Sequence, residues 1–126
     1  MSAATLRVLY VDDDRLNAFL FERTCDAAGG LDVACAASGA EAERVLLEFR
    51  PALLVIDLHL PDTDGFALLP RLRQALGEPA LPALLCTAEH PDEVRDRARH
   101  AGFQGCLDKP LDVAAVARLR EFVAAP

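Results

Sequence analysis

Residues 53–65 read LLVIDLHLPDTDG, an apolar run that ends at Asp57 and opens into a loop carrying Pro61 and Gly65. The run, taken from Ala52 to Ile56, is too short for a helix and does not alternate, so it reads as a strand buried on both faces. Such strands belong to parallel sheets. An acid placed directly after one stands at the sheet edge, where the chain turns away from the core.

Runs of the same kind lie on either side, at Leu6 to Val11, Leu31 to Ala36, Ala83 to Cys86 and Gly105 to Leu107. Between them apolar residues recur at helical spacing: Leu16, Phe19 and Leu20; Ala42, Val45, Leu46 and Phe49; Phe66, Leu69, Leu72 and Leu76; Val94, Ala98 and Ala101; Val113, Val116, Leu119 and Val123. Each stripe is expected to bury against a sheet. Strand and helix thus alternate five times. This calls for right-handed βαβ crossovers and an α/β fold, a doubly wound parallel sheet with helices on both faces. Five strands fit the flavodoxin-like order 2-1-3-4-5.

The punctuation agrees. Asp14 is placed to cap the first helix and Gly29-Gly30 to end it, Ser38 to cap the second and Pro51 to follow it, and Pro91 to open the fourth. Pro70 falls inside the third helix, where it lacks the N–H that would bond the Phe66 carbonyl, so a kink or a late helix start is expected there. The fourth helix offers little apolar surface and sets like charges four apart, Asp92 with Asp96 and Arg95 with Arg99, which makes it the weakest element.

Composition narrows the function. At 126 residues and 52% hydrophobic content the chain is expected to form one domain, residues 1–126. Its net charge of −7 repels nucleic acid and anionic membrane. No apolar run approaches the ~18 residues of a membrane span and no secretory leader is visible, so a cytoplasmic location is expected. Cys25, Cys35, Cys86 and Cys106 make no CxxC pair and read as reduced core thiols. Twelve of the basic residues are arginine, and Lys109 is the single lysine.

In an open doubly wound sheet, ligands bind beyond the carboxyl ends of the strands. The first run ends in Asp12-Asp13-Asp14, the third in Asp57, the fourth in Thr87-Ala88 and the fifth leads to Lys109-Pro110. Carboxylates gathered there would repel by about 1 to 4 kcal/mol per pair near 4 Å, so a cation must sit among them. Oxygen donors on loops, with few His or Cys nearby, favour Mg²⁺ over zinc. A carboxylate beside Mg²⁺, with a lysine and a hydroxyl aimed at the same volume, is equipped to attack a phosphoryl group, and Asp57 is the best-placed nucleophile.

Together VLYVDDD, LLVIDLHLPDTDG, LLCTA and LDKP resemble, in order and spacing, the four signature segments of response-regulator receiver domains over essentially the whole chain. The resemblance implies that Asp57 accepts the phosphoryl group and that Asp13 and Asp57 ligate Mg²⁺ directly. The His59 backbone carbonyl would be a third ligand, and Asp12 would act through a water. It implies a phosphohistidine donor on a sensor histidine kinase or phosphotransfer protein, and a downstream protein target. Lys109 would pair with the incoming phosphoryl group, Thr87 would hydrogen-bond it and the small Ala88 would leave it room. Pro110 resembles the family's cis-proline turn, and His59 and Glu89 resemble the positions that tune self-dephosphorylation.

One position departs from the pattern. Receivers usually carry Tyr or Phe three residues before the lysine, where Cys106 stands, and Phe103 is expected to point elsewhere. That loss leaves room for a receiver-fold interaction module that signals without phosphorylation. An aspartyl-nucleophile phosphatase would want an acid where His59 stands, and neither GxxxxGK[ST] nor GxGxxG follows any strand. The chain is therefore expected to be no enzyme beyond its own phosphorylation and dephosphorylation. The Asn17 region resembles receivers attached to hybrid kinases.

Overall fold

The computed structural model describes residues 5–89 and 92–123. Five parallel strands, β1 (Leu6–Val11), β2 (Leu31–Ala36), β3 (Leu53–Asp57), β4 (Ala83–Thr87) and β5 (Gly105–Asp108), form one sheet in the order 2-1-3-4-5. Helices α1 (Arg15–Ala28), α2 (Gly39–Val45), α3 (Gly65–Leu76), α4 (Asp92–His100) and α5 (Val113–Ala117) cover both faces, and a 3-10 turn (Leu119–Phe122) follows α5. β3 and β4 are buried at every residue, the state that their unbroken apolar runs require.

Alternation along each strand divides the core. Leu54 and Ile56 of β3 face α2, α3 and α4, packing with Leu68, Leu69, Leu72 and Ala98. Leu53 and Val55 face α1 and α5, packing with Phe21, Cys25, Val116 and Leu119. The caps fall where expected: Asp14 accepts from the Leu16 and Asn17 amides, Gly29 and Gly30 take positive φ at the end of α1, and Ser38 accepts from Glu41. The expected cap at Pro91 lies outside the described residues.

Three expectations need correction. Leu16, Phe19 and Leu20 face solvent, at 64%, 56% and 45% exposure, while Phe21 and Cys25 form the buried stripe of α1. Two overlapping apolar stripes exist on this helix, and the sheet selects the one that fits beside Tyr10, whose ring stacks on Phe21. Val113 is likewise exposed, at the first turn of α5, while Val116 and Leu119 are buried in the core and Val123 packs against it. The late start at Pro70 does not occur. Asp64 caps α3 through the Ala67 amide, and the helix runs on through an exposed Pro70.

Among the described residues no helix is long and apolar enough to cross a membrane. The cysteines are free thiols. Cys25 and Cys86 are buried, Cys35 and Cys106 half-buried, and burial raises all four, Cys25 to about 12.

Candidate functional site

In this strand order the chain leaves β1 toward β2 but arrives at β3 on the other side, which opens a crevice at the carboxyl ends of β1 and β3. Asp12 follows β1, Asp57 is the last residue of β3, Thr87 the last of β4, and Lys109 follows β5. Among the described residues Asp12, Asp57 and Thr87 are the buried polar side chains, at 2%, 7% and 2% exposure, and all three meet here. Asp12, Asp13 and Asp57 bring carboxylate oxygens within 4.8 Å of one another.

Lys109 reaches into this cluster. Its ammonium donates to Asp57 Oδ2 at 2.9 Å and lies 2.8 Å from Asp12 Oδ2. Burial pushes the Asp12 carboxyl up, but Lys109, the Asp14 amide and the Tyr10 phenol outweigh it and hold Asp12 below the usual carboxylate range. For Asp57 burial prevails over Lys109, and its carboxyl sits above that range. Burial would lower Lys109, yet its two carboxylate partners hold it well above the ordinary lysine value. The Lys109–Pro110 peptide bond is cis, as the resemblance implies.

The remaining residues rim the pocket. Thr87 Oγ1 accepts from the Glu89 amide at 3.1 Å, which leaves its own proton free to donate inward. Ala88 is exposed beside it. His59 lies on the loop after β3, its amide turned to Asp57, and its ring Nε2 is 2.7 Å from Glu89 Oε1. Cys106 is half-buried on β5, and Phe103 is buried against Phe66, within the helix-covered core.

Three contributors escaped the sequence reading. Tyr10 donates to Asp12 Oδ2 at 2.8 Å, and Asn17 Nδ2 reaches the same oxygen at 3.4 Å. Tyr10 was legible in principle, since it is a phenol in an aliphatic run two residues before Asp12 and therefore on the same side of the strand. The third is Asp62, which accepts from the Gly39 and Ala40 amides and ties the loop after β3 to the start of α2.

Three carboxylates against one ammonium leave the crevice negatively charged, and its side-chain donors are all oxygens. This donor set suits a hard divalent cation. The family model for the response regulator receiver domain matches residues 8–120.

The chain belongs to this family. The receiver is 35% identical over 116 residues to an uncharacterized 14.6 kDa protein of Leptolyngbya boryana, covering 92% of this chain and 88% of that one. It is 32% identical to the DNA-binding dual master transcriptional regulator RpaA of Synechocystis, covering 90% of this chain and 47% of the regulator. Its fold matches the Vibrio cholerae chemotaxis protein CheY4 with a TM-score of 0.85 at 26% identity, over 96% of this chain and 100% of the other. The receiver therefore spans most of one relative and about half of another. It has the phosphoryl-accepting role that receivers hold in two-component signalling. Receiver domains bind Mg²⁺ in an acidic pocket and are phosphorylated by sensor kinases, and Asp12, Asp13 and Asp57 form such a pocket here.

Proposed function

We propose that Asp57 is the phosphoacceptor, taking its phosphoryl group from a phosphohistidine on a sensor histidine kinase or phosphotransfer protein in the cytoplasm. The observation that carries this reading is the convergence of Lys109 on Asp57 and Asp12 at the strand ends. Asp13, Asp57 and the His59 carbonyl would hold Mg²⁺, with Asp12 assisting, and the ion would supply charge neutralisation at the phosphoryl oxygens.

A carboxylate oxygen of Asp57 attacks phosphorus as the phosphorus–nitrogen bond to the donor imidazole breaks, and the leaving imidazole takes up a proton. Lys109 shifts its hydrogen bond from Asp57 to a phosphoryl oxygen, and Thr87 donates to another. Exposed Ala88 keeps the entrance open. Hydrolysis returns phosphate and the Asp57 carboxylate, with His59 and Glu89 at the entrance to the attacking water. The changed surface then addresses a downstream protein target.

Incubation with acetyl phosphate, with and without Mg²⁺, tests the reading by intact mass. A Mg²⁺-dependent phosphoryl adduct lost in Asp57→Ala is expected, and no adduct at Asp57 would overturn it in favour of a phosphorylation-independent module.

A further inference from the structure

We propose that Tyr10 is a positioning residue for this site, resting on the phosphorylation reading above: its buried phenol keeps Asp12 hydrogen-bonded when Lys109 leaves to meet the phosphoryl group. Tyr10 is 1% exposed, its ring stacked on Phe21 with centroids 4.4 Å apart, and its hydroxyl donates to Asp12 Oδ2 at 2.8 Å. Phenylalanine would fill the same space without a polar atom to satisfy. The hydroxyl sits in an otherwise apolar layer where an unpaired donor is costly, so Asp12 is the reason a phenol can stand there.

The donors to Asp12 differ in how freely they move. The Asp14 amide on Oδ1 belongs to the backbone, and Tyr10 on Oδ2 is locked by packing. Lys109, also on Oδ2, hangs on a flexible four-carbon stem, and Asn17 reaches that oxygen only at 3.4 Å. Transfer of Lys109 to a phosphoryl oxygen removes the strongest partner from an acid at 2% exposure. Tyr10 remains and lowers the cost of that transfer. The α1 helix is tied to the event through Phe21.

Tyr10→Phe tests this. Before phosphorylation Lys109 and the Asp14 amide still serve Asp12, so Mg²⁺ affinity in the variant should fall far less than capture of a phosphoryl group does. Capture of a beryllofluoride phosphoryl mimic, and the rate of phosphorylation by acetyl phosphate at saturating Mg²⁺, should fall about tenfold, the worth of one hydrogen bond to a charged group. Structural damage alone would lower both quantities together. Tyr10 is the single tyrosine and the chain has no tryptophan, so tyrosine emission of the unmodified protein reports this phenol and its surroundings. It should change when beryllofluoride and Mg²⁺ bind, a readout that decides the matter even if the variant fails to fold. Native capture by Tyr10→Phe, or emission unmoved by bound beryllofluoride, would overturn the role of Tyr10. Failure of the native protein to take any phosphoryl group would overturn the phosphorylation reading itself, and this inference with it.

Discussion

The ammonium of Lys109 stands 2.9 Å from the carboxylate of Asp57, and its second contact, at 2.8 Å, is Asp12. One cation thus offsets two buried acids before any metal binds. Lys109→Met should destabilise the metal-free protein by about 3 kcal/mol, the cost of leaving buried charge unpaired. Mg²⁺ should restore more stability to the variant than to the native protein, since it no longer competes with the ammonium. Urea unfolding with and without Mg²⁺ measures both effects.

The His59 ring and Glu89 meet at 2.7 Å although their side chains are 72% and 51% exposed, so the pair adds little to stability. Its position spans the entrance between the β3 and β4 loops. Alanine at either residue should leave urea unfolding unchanged within about 0.5 kcal/mol. Dephosphorylation rates of the two single variants and the double variant should be non-additive. Strict additivity would mean the two residues act separately on the attacking water.

Cys106 is flanked by two clefts of about 490 Å³ each, which meet at Arg95, Gly105 and Cys106 between α4, β5 and α5. A larger side chain there has open space to enter. Cys106→Tyr should therefore change stability by less than about 1 kcal/mol, where overpacking a closed core typically costs more. Phosphorylation by acetyl phosphate should persist, while affinity for the downstream target should change.

On α1 the two phenylalanines should part company. Phe21→Ala removes a ring buried against Tyr10 and should cost about 3 to 5 kcal/mol. Phe19→Ala, at an exposed position, should stay within about 0.5 kcal/mol. Thermal unfolding of both variants distinguishes this packing from the reverse assignment.

Asp62 accepts two amides at 2.9 Å, from Gly39 and Ala40, and these hold its carboxyl below the ordinary value. A depressed folded-state value means that its stabilisation is present above the unfolded carboxylate value, near pH ~4, and lost as pH falls through the folded one. The native protein should exceed Asp62→Ala in melting temperature at neutral pH, and the gap should close in acid.

Much was legible in the chain because strand-end chemistry is local. Where an apolar run stops, the next residue must stand at the sheet edge, and Asp57, Thr87 and Lys109 declare themselves by following such runs. The alternation of five strands and helices fits the strand order that the sheet adopts. What periodicity could not decide is which of two apolar stripes a helix buries. On α1 both Leu16-Phe19-Leu20 and Phe21-Cys25 are apolar, and only the shape of the sheet against which Phe21 stacks makes the choice. The same holds within the site. Residue types announced the acids and the lysine, and the two-residue step from Tyr10 to Asp12 sets both on one side of the strand without fixing their bond, while the His59–Glu89 contact and the Asp62 brace join residues whose spacing carries no period. Such contacts exist only once the chain has closed on itself, because side-chain hydrogen bonds depend on distances and angles that sequence separation does not set.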